Sequence, residues 1–349
     1  METPQKLMPY LKHLLRDTWL SASYYSGLSH LYNAVVGRKQ GVISFHNVLP
    51  ISKLQPFDVY NVDLTAAVFE QQLVFLKKHF RVLPIDQIDD PTARGFFLTF
   101  DDGMRNNHQI LAPLLQKHQL TALFAICPAL VDGQLPHIWR DHLYLLLRQN
   151  EGKQAWLPMN NYAKPYLVEP NNTLTRLFKQ YVYANQIANI YGLIQDICTR
   201  NQWPYAPILG EDDLRFRFMD WSQITDLAQQ GHRIASHTMT HRVLRFLPAE
   251  AQQYELSESK KQLEQRLKMP INTIVYPYGG AEIDAAVVQV AQNVGYTTGF
   301  MNVQQHSLPI AHLTRPRFAF PATAYTPHLH AITSGYKFVG KKILNFFSK

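Results

Sequence analysis

The chain has 349 residues, 46% of them hydrophobic and 17% charged, with 34 Lys and Arg against 26 Asp and Glu and a formal charge of +8. That is apolar material for one large domain with additions, or for two domains, and it excludes a disordered chain. The basic excess is too diffuse for a nucleic-acid surface and better fits an anionic surface or a polyanionic glycan.

In chain order, residues 5–36 read as helical, with Leu7, Leu11, Leu14 and Leu15 on one face. GVISFHNV (41–48) reads as a short apolar strand, 69–80 as an amphipathic helix and RVLPI (81–85) as a second strand. GFFLTF (95–100) reads as a strand buried on both faces, 107–119 as a helix and TALFAIC (121–127) as another buried strand. Residues 132–218, rich in Tyr, Asn, Gln and Leu, break the alternation and read as a helical insertion bordering the mouth of the site. Alternation resumes with a helix at 221–231, HRIASH (232–237), a helix at 249–268, TIVYPYG (273–279), a helix at 281–294, YTTGF (296–300) and TRPRFAFP (314–321). Strands alternating with helices predict an α/β fold with a parallel sheet or barrel.

The expected divisions are an N-terminal helical arm (1–40), an α/β body (41–131 and 219–325) interrupted by the insertion (132–218), and a basic amphipathic tail (326–349). The tail, ending YKFVGKKILNFFSK, is a solvated helix or a peripheral contact with a membrane surface. The N-terminus shows no continuous apolar core of a signal peptide, and no run of about 18 apolar residues predicts a membrane-spanning helix. The expected location is the cytoplasm, including the inner face of a membrane. Cys127 and Cys198 form no CxxC pair, so one disulfide or two thiols are both open.

Functional groups of α/β folds collect at the carboxyl ends of strands. Asp101 and Asp102 follow LTF there, although a lone Asp-Asp-Gly would serve equally well as a turn. HRIASH runs into SHTMTH, where His237 and His241 are four apart. On a helical turn that spacing sets two imidazoles about 6 Å apart at Cβ. Two His and one carboxylate make a metal site with positions left for water and substrate. TIVYPYGG, with Pro277 and two glycines, predicts a tight loop that can aim a backbone N–H into a site. His46 ends the first predicted strand and is a candidate acid. In the insertion, Trp139, Trp156, Tyr162, Tyr166 and Trp203 could stack on sugars or fill a helical core, and Arg140 and His142 could contact substrate or cap a helix.

LTFDDG, SHTMTH and YPYG, in that order, resemble the first three motifs of the polysaccharide deacetylases (carbohydrate esterase family 4, the NodB homology domain). The resemblance covers roughly residues 41–131 and 219–325 and implies a distorted (β/α) barrel of about seven parallel strands. It implies Asp101 as catalytic base, Asp102, His237 and His241 as metal ligands, and the Tyr278 N–H as oxyanion donor. It also implies a divalent cation, zinc first and cobalt or nickel next, and an N-acetylated glycan or lipid-linked saccharide as substrate. The family's last motif, Leu-x-His, has no clear copy after residue 300. ISFHNV fits the circularly permuted members, which gives His46 as acid, ahead of His306 and His312. The third motif lacks the Arg that orients the base; Arg317 is the expected replacement, with Arg315 as competitor. The alternatives are an O-acetyl esterase or other amidohydrolase on the same fold, or an inactive glycan-binding scaffold in envelope-polysaccharide assembly.

Overall fold

A computed structural model describes residues 4–50, 63–210, 214–279, 282–302 and 311–336. Two helices, α1 (Pro4–Tyr25) and α2 (Leu28–Val35), precede the first strands, β1 (Gln40–Phe45) and β2 (Asn47–Leu49). The single helix expected over 5–36 is broken at Gly27, whose φ of 83° is a left-handed conformation that glycine adopts without steric cost. The strand expected over 41–48 is likewise split, with His46 between β1 and β2.

Next come β3 (Asp63–Thr65), α3 (Ala66–His79), β4 (Gly95–Phe100), α4 (Ala112–Lys117), β5 (Leu123–Ile126) and α5 (Pro128–Val131). RVLPI is not a strand. Only Val82 bridges to Phe96, Pro84 has no N–H to continue a ladder, and the chain coils into a 3-10 turn at Ile85–Asp89. Leu83, Ile85 and Ile88 are instead buried against Val42, Phe97 and Phe300, which plugs the amino-terminal end of the barrel.

Residues 132–218 carry α6 (Trp139–Arg148), a two-residue antiparallel pair of β6 (Gln154–Ala155) with β7 (Tyr166–Leu167), α7 (Thr173–Ala184) and α8 (Ile190–Asn201). They enclose their own apolar cluster around Trp139, Phe178 and Ile194. That cluster takes in Met104, Cys127 and Val243 from the loops after β4, β5 and β8, so the insertion packs over the carboxyl ends of those strands. Trp139 is part of this core, and so is His142, whose Nε2 bonds the Tyr205 carbonyl at 2.6 Å.

The chain ends with α9 (Trp221–Gln229), β8 (Arg233–Ser236), α10 (Ala249–Leu267), β9 (Thr273–Val275), α11 (Ala285–Val294), β10 (Thr298–Asn302), β11 (Arg315–Ala319) and α12 (Thr326–Ser334). Seven strands close a barrel in the order β1-β11-β10-β9-β8-β5-β4, every pair parallel. β1 closes it between β4 and β11, for example with Ile43 opposite Leu98 and Phe318. The second half of the tail, 337–349, lies outside the described residues, as does His306. Among the described residues no helix is long and apolar enough to cross a membrane.

Alternation along the strands sorts the core. Ile43, Phe45, Leu98, Phe100, Phe124 and Ile126 face the surrounding helices, and the Phe45, Phe100 and Phe124 rings stack at 5.2–5.3 Å. Val42, Phe97, Ala125, Val275 and Phe300 face inward.

Burial has a consequence for acid stability. His137, His142, His232 and His330 are all buried, and burial pushes each imidazole down to about 4. The folded state then binds fewer protons than the unfolded chain, so this stability is complete above the ordinary imidazole value and lost as pH falls toward 4. Urea unfolding at pH 7 and pH 5 is expected to differ by roughly 2 kcal/mol for each such group. His142→Gln should flatten the pH dependence.

Candidate active site

The loops after β1, β4, β8 and β9 meet at the carboxyl end of the barrel. Asp101 continues the alternation Phe97, Thr99, Asp101 and so points inward, where it is 1% exposed. Adjacency alone would send Asp102 to the opposite face. Its left-handed φ of 75° breaks the alternation and returns its carboxylate to the same centre. Gly103 follows at φ 71°, where an added Cβ would also come within 3.1 Å of Ile126 Cδ1.

Asp102 Oδ1 lies 3.4 Å from His237 Nε2 and 3.2 Å from His241 Nε2. One donor atom from each of the three residues lies within 4.8 Å of the others. The two histidines do not sit on a helical turn as their spacing predicts. They flank an irregular loop in which Thr238 (φ 64°) and His241 (φ 55°) are left-handed. With Asp102 and Tyr278 (φ 65°), four non-glycine residues in this unfavourable region converge on one site. Each costs roughly 1–3 kcal/mol and persists only because its surroundings overdetermine it.

The surroundings do so here. The buried Glu255 of α10 accepts from Thr240 N at 2.8 Å and from Arg242 Nη2 at 2.8 Å, and it also bonds the Thr240 hydroxyl. Thr238 Oγ1 accepts from His241 N at 3.1 Å. Glu255 was not singled out from the sequence, where it stands in a polar helical run. Its only signal is a carboxylate beside Leu256 on the face that α10 buries.

Both imidazoles are oriented from behind. His237 Nδ1 lies 2.6 Å from the Val275 carbonyl, which can only accept, so Nδ1 carries the proton and Nε2 faces Asp102 with its lone pair. Tyr278 donates its hydroxyl proton to the His241 carbonyl at 3.1 Å and therefore accepts from His241 Nδ1 at 2.9 Å, which leaves His241 Nε2 in the same state. Asp102 Oδ1 is buried and has no hydrogen-bond partner despite its two close nitrogens. A buried carboxylate oxygen and two imidazole lone pairs aimed at one point suit a divalent cation of the zinc type.

Arg317, inside the barrel on β11, forks onto Asp101, with Nη1 2.7 Å from Oδ1 and Nη2 2.7 Å from Oδ2. Nη1 also donates to Thr99 Oγ1 at 2.9 Å. Burial by itself would raise the Asp101 carboxyl; the Arg317 charge and hydrogen bonds outweigh it and hold the carboxyl below its usual range. At Asp102 burial would again raise the carboxyl, and the two imidazoles of His237 and His241 beside it outweigh burial and hold it well below its usual range. The two histidines diverge. Burial lowers both, but His237 sees both carboxylates and ends up raised, whereas His241 stays lowered.

His46 Nε2 is 3.8 Å from Asp101 Oδ2, with the His46 side chain 23% exposed. The two asparagines of DDGMRNN hold its backbone. Asn107 Nδ2 donates to the His46 carbonyl at 2.9 Å, while Asn106 bonds Asn47 and the Val48 N–H on the next residues. The competitors named from the sequence lie elsewhere. Arg315 is at the amino-terminal end of β11, bonding the Ile88 carbonyl and pairing with Asp89, and His312 sits beside it. From the insertion, Arg140 stacks 4.3 Å over the Tyr278 ring and donates to Tyr183. Cys127 and Cys198 are free, buried thiols, and Cys127 is bonded to the His237 carbonyl.

Residues 89–299 match the model of a family described as polysaccharide deacetylase. The match includes Asp101, Asp102, His237, His241 and Tyr278 but neither His46 nor Arg317. No curated protein sequence matches the chain. Among solved structures, the chain is similar to the Streptococcus pyogenes deacetylase PplD in complex with acetate, at 16% identity and a TM-score of 0.54 over 86% of this chain and 99% of that one. It is also similar to IcaB from Ammonifex degensii, at 15% identity and a TM-score of 0.51 over 85% and 98%. A polysaccharide deacetylase from Bacillus cereus aligns at 16% identity and a TM-score of 0.50 over 84% and 69%. At these identities the structural likeness concerns the fold.

Proposed function

The chain belongs to the polysaccharide deacetylases, hydrolases of carbon–nitrogen bonds, and we propose that it removes N-acetyl groups from an amino-sugar glycan or a lipid-linked saccharide precursor. The observation that carries this reading is the division between neighbouring carboxylates. Asp102 joins two imidazoles with an unpartnered oxygen, while Asp101, next to it, is kept ionised by Arg317.

Asp102, His237 and His241 would hold a divalent cation, zinc first and cobalt or nickel next. Bound there, such a cation supplies a Lewis acid that polarises the acetamide carbonyl and acidifies water. Asp101 accepts the proton of the attacking water, and Arg317 fixes the direction in which its carboxylate points. The Tyr278 N–H, on its left-handed turn, donates to the carbonyl oxygen as negative charge builds there. His46, on the far side of Asp101, gives a proton to the nitrogen as the carbon–nitrogen bond breaks, and the products are acetate and a free amino sugar. Asn107 keeps His46 in place for that transfer.

The test is acetate release from N-acetylated and O-acetylated sugars by the purified chain, with zinc, cobalt or nickel added back after chelation. Release from N-acetyl substrates, restored by metal, is the expected result. His237→Ala should lose both bound metal and activity. Release from O-acetyl sugars alone would assign the site to ester hydrolysis, and full activity after chelation would overturn the metal set.

A further inference from the structure

The insertion touches the loops of the metal site at two points. Tyr191 of α8 donates its hydroxyl to the Thr240 carbonyl at 3.0 Å, within the loop that carries His237 and His241. Arg140 of α6 lies over the Tyr278 ring, 4.3 Å from its centroid. Trp139, Leu143 and Leu146 are buried and anchor α6 in the core of the insertion, which leaves Arg140 half-buried at the edge of that face. There its guanidinium also lies 5.2 Å from the Trp139 ring and donates to the Tyr183 hydroxyl on α7 at 3.0 Å. Tyr183 is fixed in turn, with its hydroxyl hydrogen-bonded to Glu282 and its ring 5.4 Å from Phe246.

Tyr278 is the residue on which this bracing matters most. Its hydroxyl bonds both Nδ1 and the carbonyl of His241, so the placement of its ring sets the rotation of that imidazole. Its backbone stands at φ 65°, a conformation that a non-glycine residue keeps only under constraint. The ring is bounded by His241 at 4.8 Å and by Trp139 at 6.3 Å, and it packs on the apolar cluster of the insertion. Glu255 steadies the His237–His241 loop from the barrel side, but the ring of Tyr278 is steadied from the insertion. A guanidinium over an aromatic face attracts it, and more strongly where water is partly excluded.

We propose that Arg140 is a positioning residue of the active site, acting through Tyr278. It keeps His241 Nε2 turned toward Asp102 and the Tyr278 N–H turned into the site. The proposal rests on the metal set and oxyanion donor described above. It gives residues 132–218 a part in the reaction beyond covering the strand ends, since the barrel supplies the ligands and the insertion supplies the brace behind one of them.

The experiment uses the full chain. Zinc affinity is read by competition with a chromophoric chelator, and acetate release at saturating zinc gives kcat and KM. Arg140→Met keeps the aliphatic stem and removes the charge. It should weaken zinc binding about tenfold and lower kcat about tenfold, with KM within about twofold of the parent's. Arg140→Lys returns a cation to the ring face and should recover part of both losses. In a Tyr278→Leu background, Arg140→Met should weaken zinc binding no further, because the ring through which it acts is gone. A residue that only packs the insertion would lower the melting midpoint and leave the zinc affinity and kcat of the folded protein unchanged. Should Arg140→Met fail to fold, Tyr183→Phe releases the guanidinium while keeping the charge and the core, and it should move both readings the same way by a smaller factor. Zinc affinity and kcat both at the parent's values in the folded variant would overturn the proposal. So would an undiminished effect in the Tyr278→Leu background, or a rise in KM alone, which would assign the guanidinium to substrate. A parent that binds zinc but releases no acetate would refute the N-acetyl reading and leave the zinc comparison to decide Arg140.

Discussion

Asp101→Asn is expected to bind metal as the parent does and to lose turnover by a factor on the order of 10² to 10⁴. The amide keeps the shape of the carboxylate and its place beside Thr99, but it cannot take a proton from water. The three proposed ligands are untouched, so metal stoichiometry reads out an intact centre while acetate release reads out the missing base. The variant also leaves the Arg317 cation buried opposite a neutral group, and it should therefore melt earlier. Assays well below that midpoint separate the two effects. Turnover equal to the parent's would remove Asp101 from the reaction.

The second large effect belongs to Arg317. Removing one partner of a buried, forked ion pair typically costs about 3–5 kcal/mol, because the other charge is left desolvated and unpaired. Arg317→Leu should lower stability on that scale. Its effect on pH dependence has a definite sign. Burial raises the Asp101 carboxyl, and Arg317 reverses that direction. Without the guanidinium the carboxyl rises above its usual range, and the acid limb of kcat/KM moves to higher pH. Arg317→Lys should recover part of the stability and little of the orientation, since an ammonium cannot fork onto both oxygens. The double variant Arg317→Leu/Asp101→Asn is expected to be more stable than the two single losses added together, measured by chemical unfolding. An unshifted acid limb in Arg317→Leu would show that the pair is structural only.

Much of this site was legible in the sequence because its parts sit where strand patterning puts them. GFFLTF is unmistakable as a buried strand, and DDG, SHTMTH and YPYG follow strands of one parallel barrel, in which β8 pairs with β9 and β5 alone separates β8 from β4. What patterning could not supply was the local backbone. His237 and His241 have helical spacing yet flank an irregular loop, and Asp102 joins Asp101 through a left-handed turn, not through adjacency. RVLPI had the composition of a strand, but Pro84 ended it after one bridge. At Arg317 patterning names a residue without a reason, because a guanidinium inside a barrel is intelligible only once Thr99 and Asp101 are seen facing it. Glu255 and Asn107 escaped notice for the same reason. Each acts through a partner distant in sequence, and neither stands in a pattern of its own.

The closure of the barrel also bears on how the chain is made. β1, at residues 40–45, has as its two neighbours β4 and β11, and β11 ends only at Ala319. A ribosome must therefore deliver most of the polypeptide before the first strand gains its second partner. Until then Asp101 faces an interior with no guanidinium in it, which disfavours a dry, prematurely sealed half-barrel. The last strand to emerge carries the cation that the first acidic loop has been lacking, so assembly of the catalytic end and completion of the fold become a single late event.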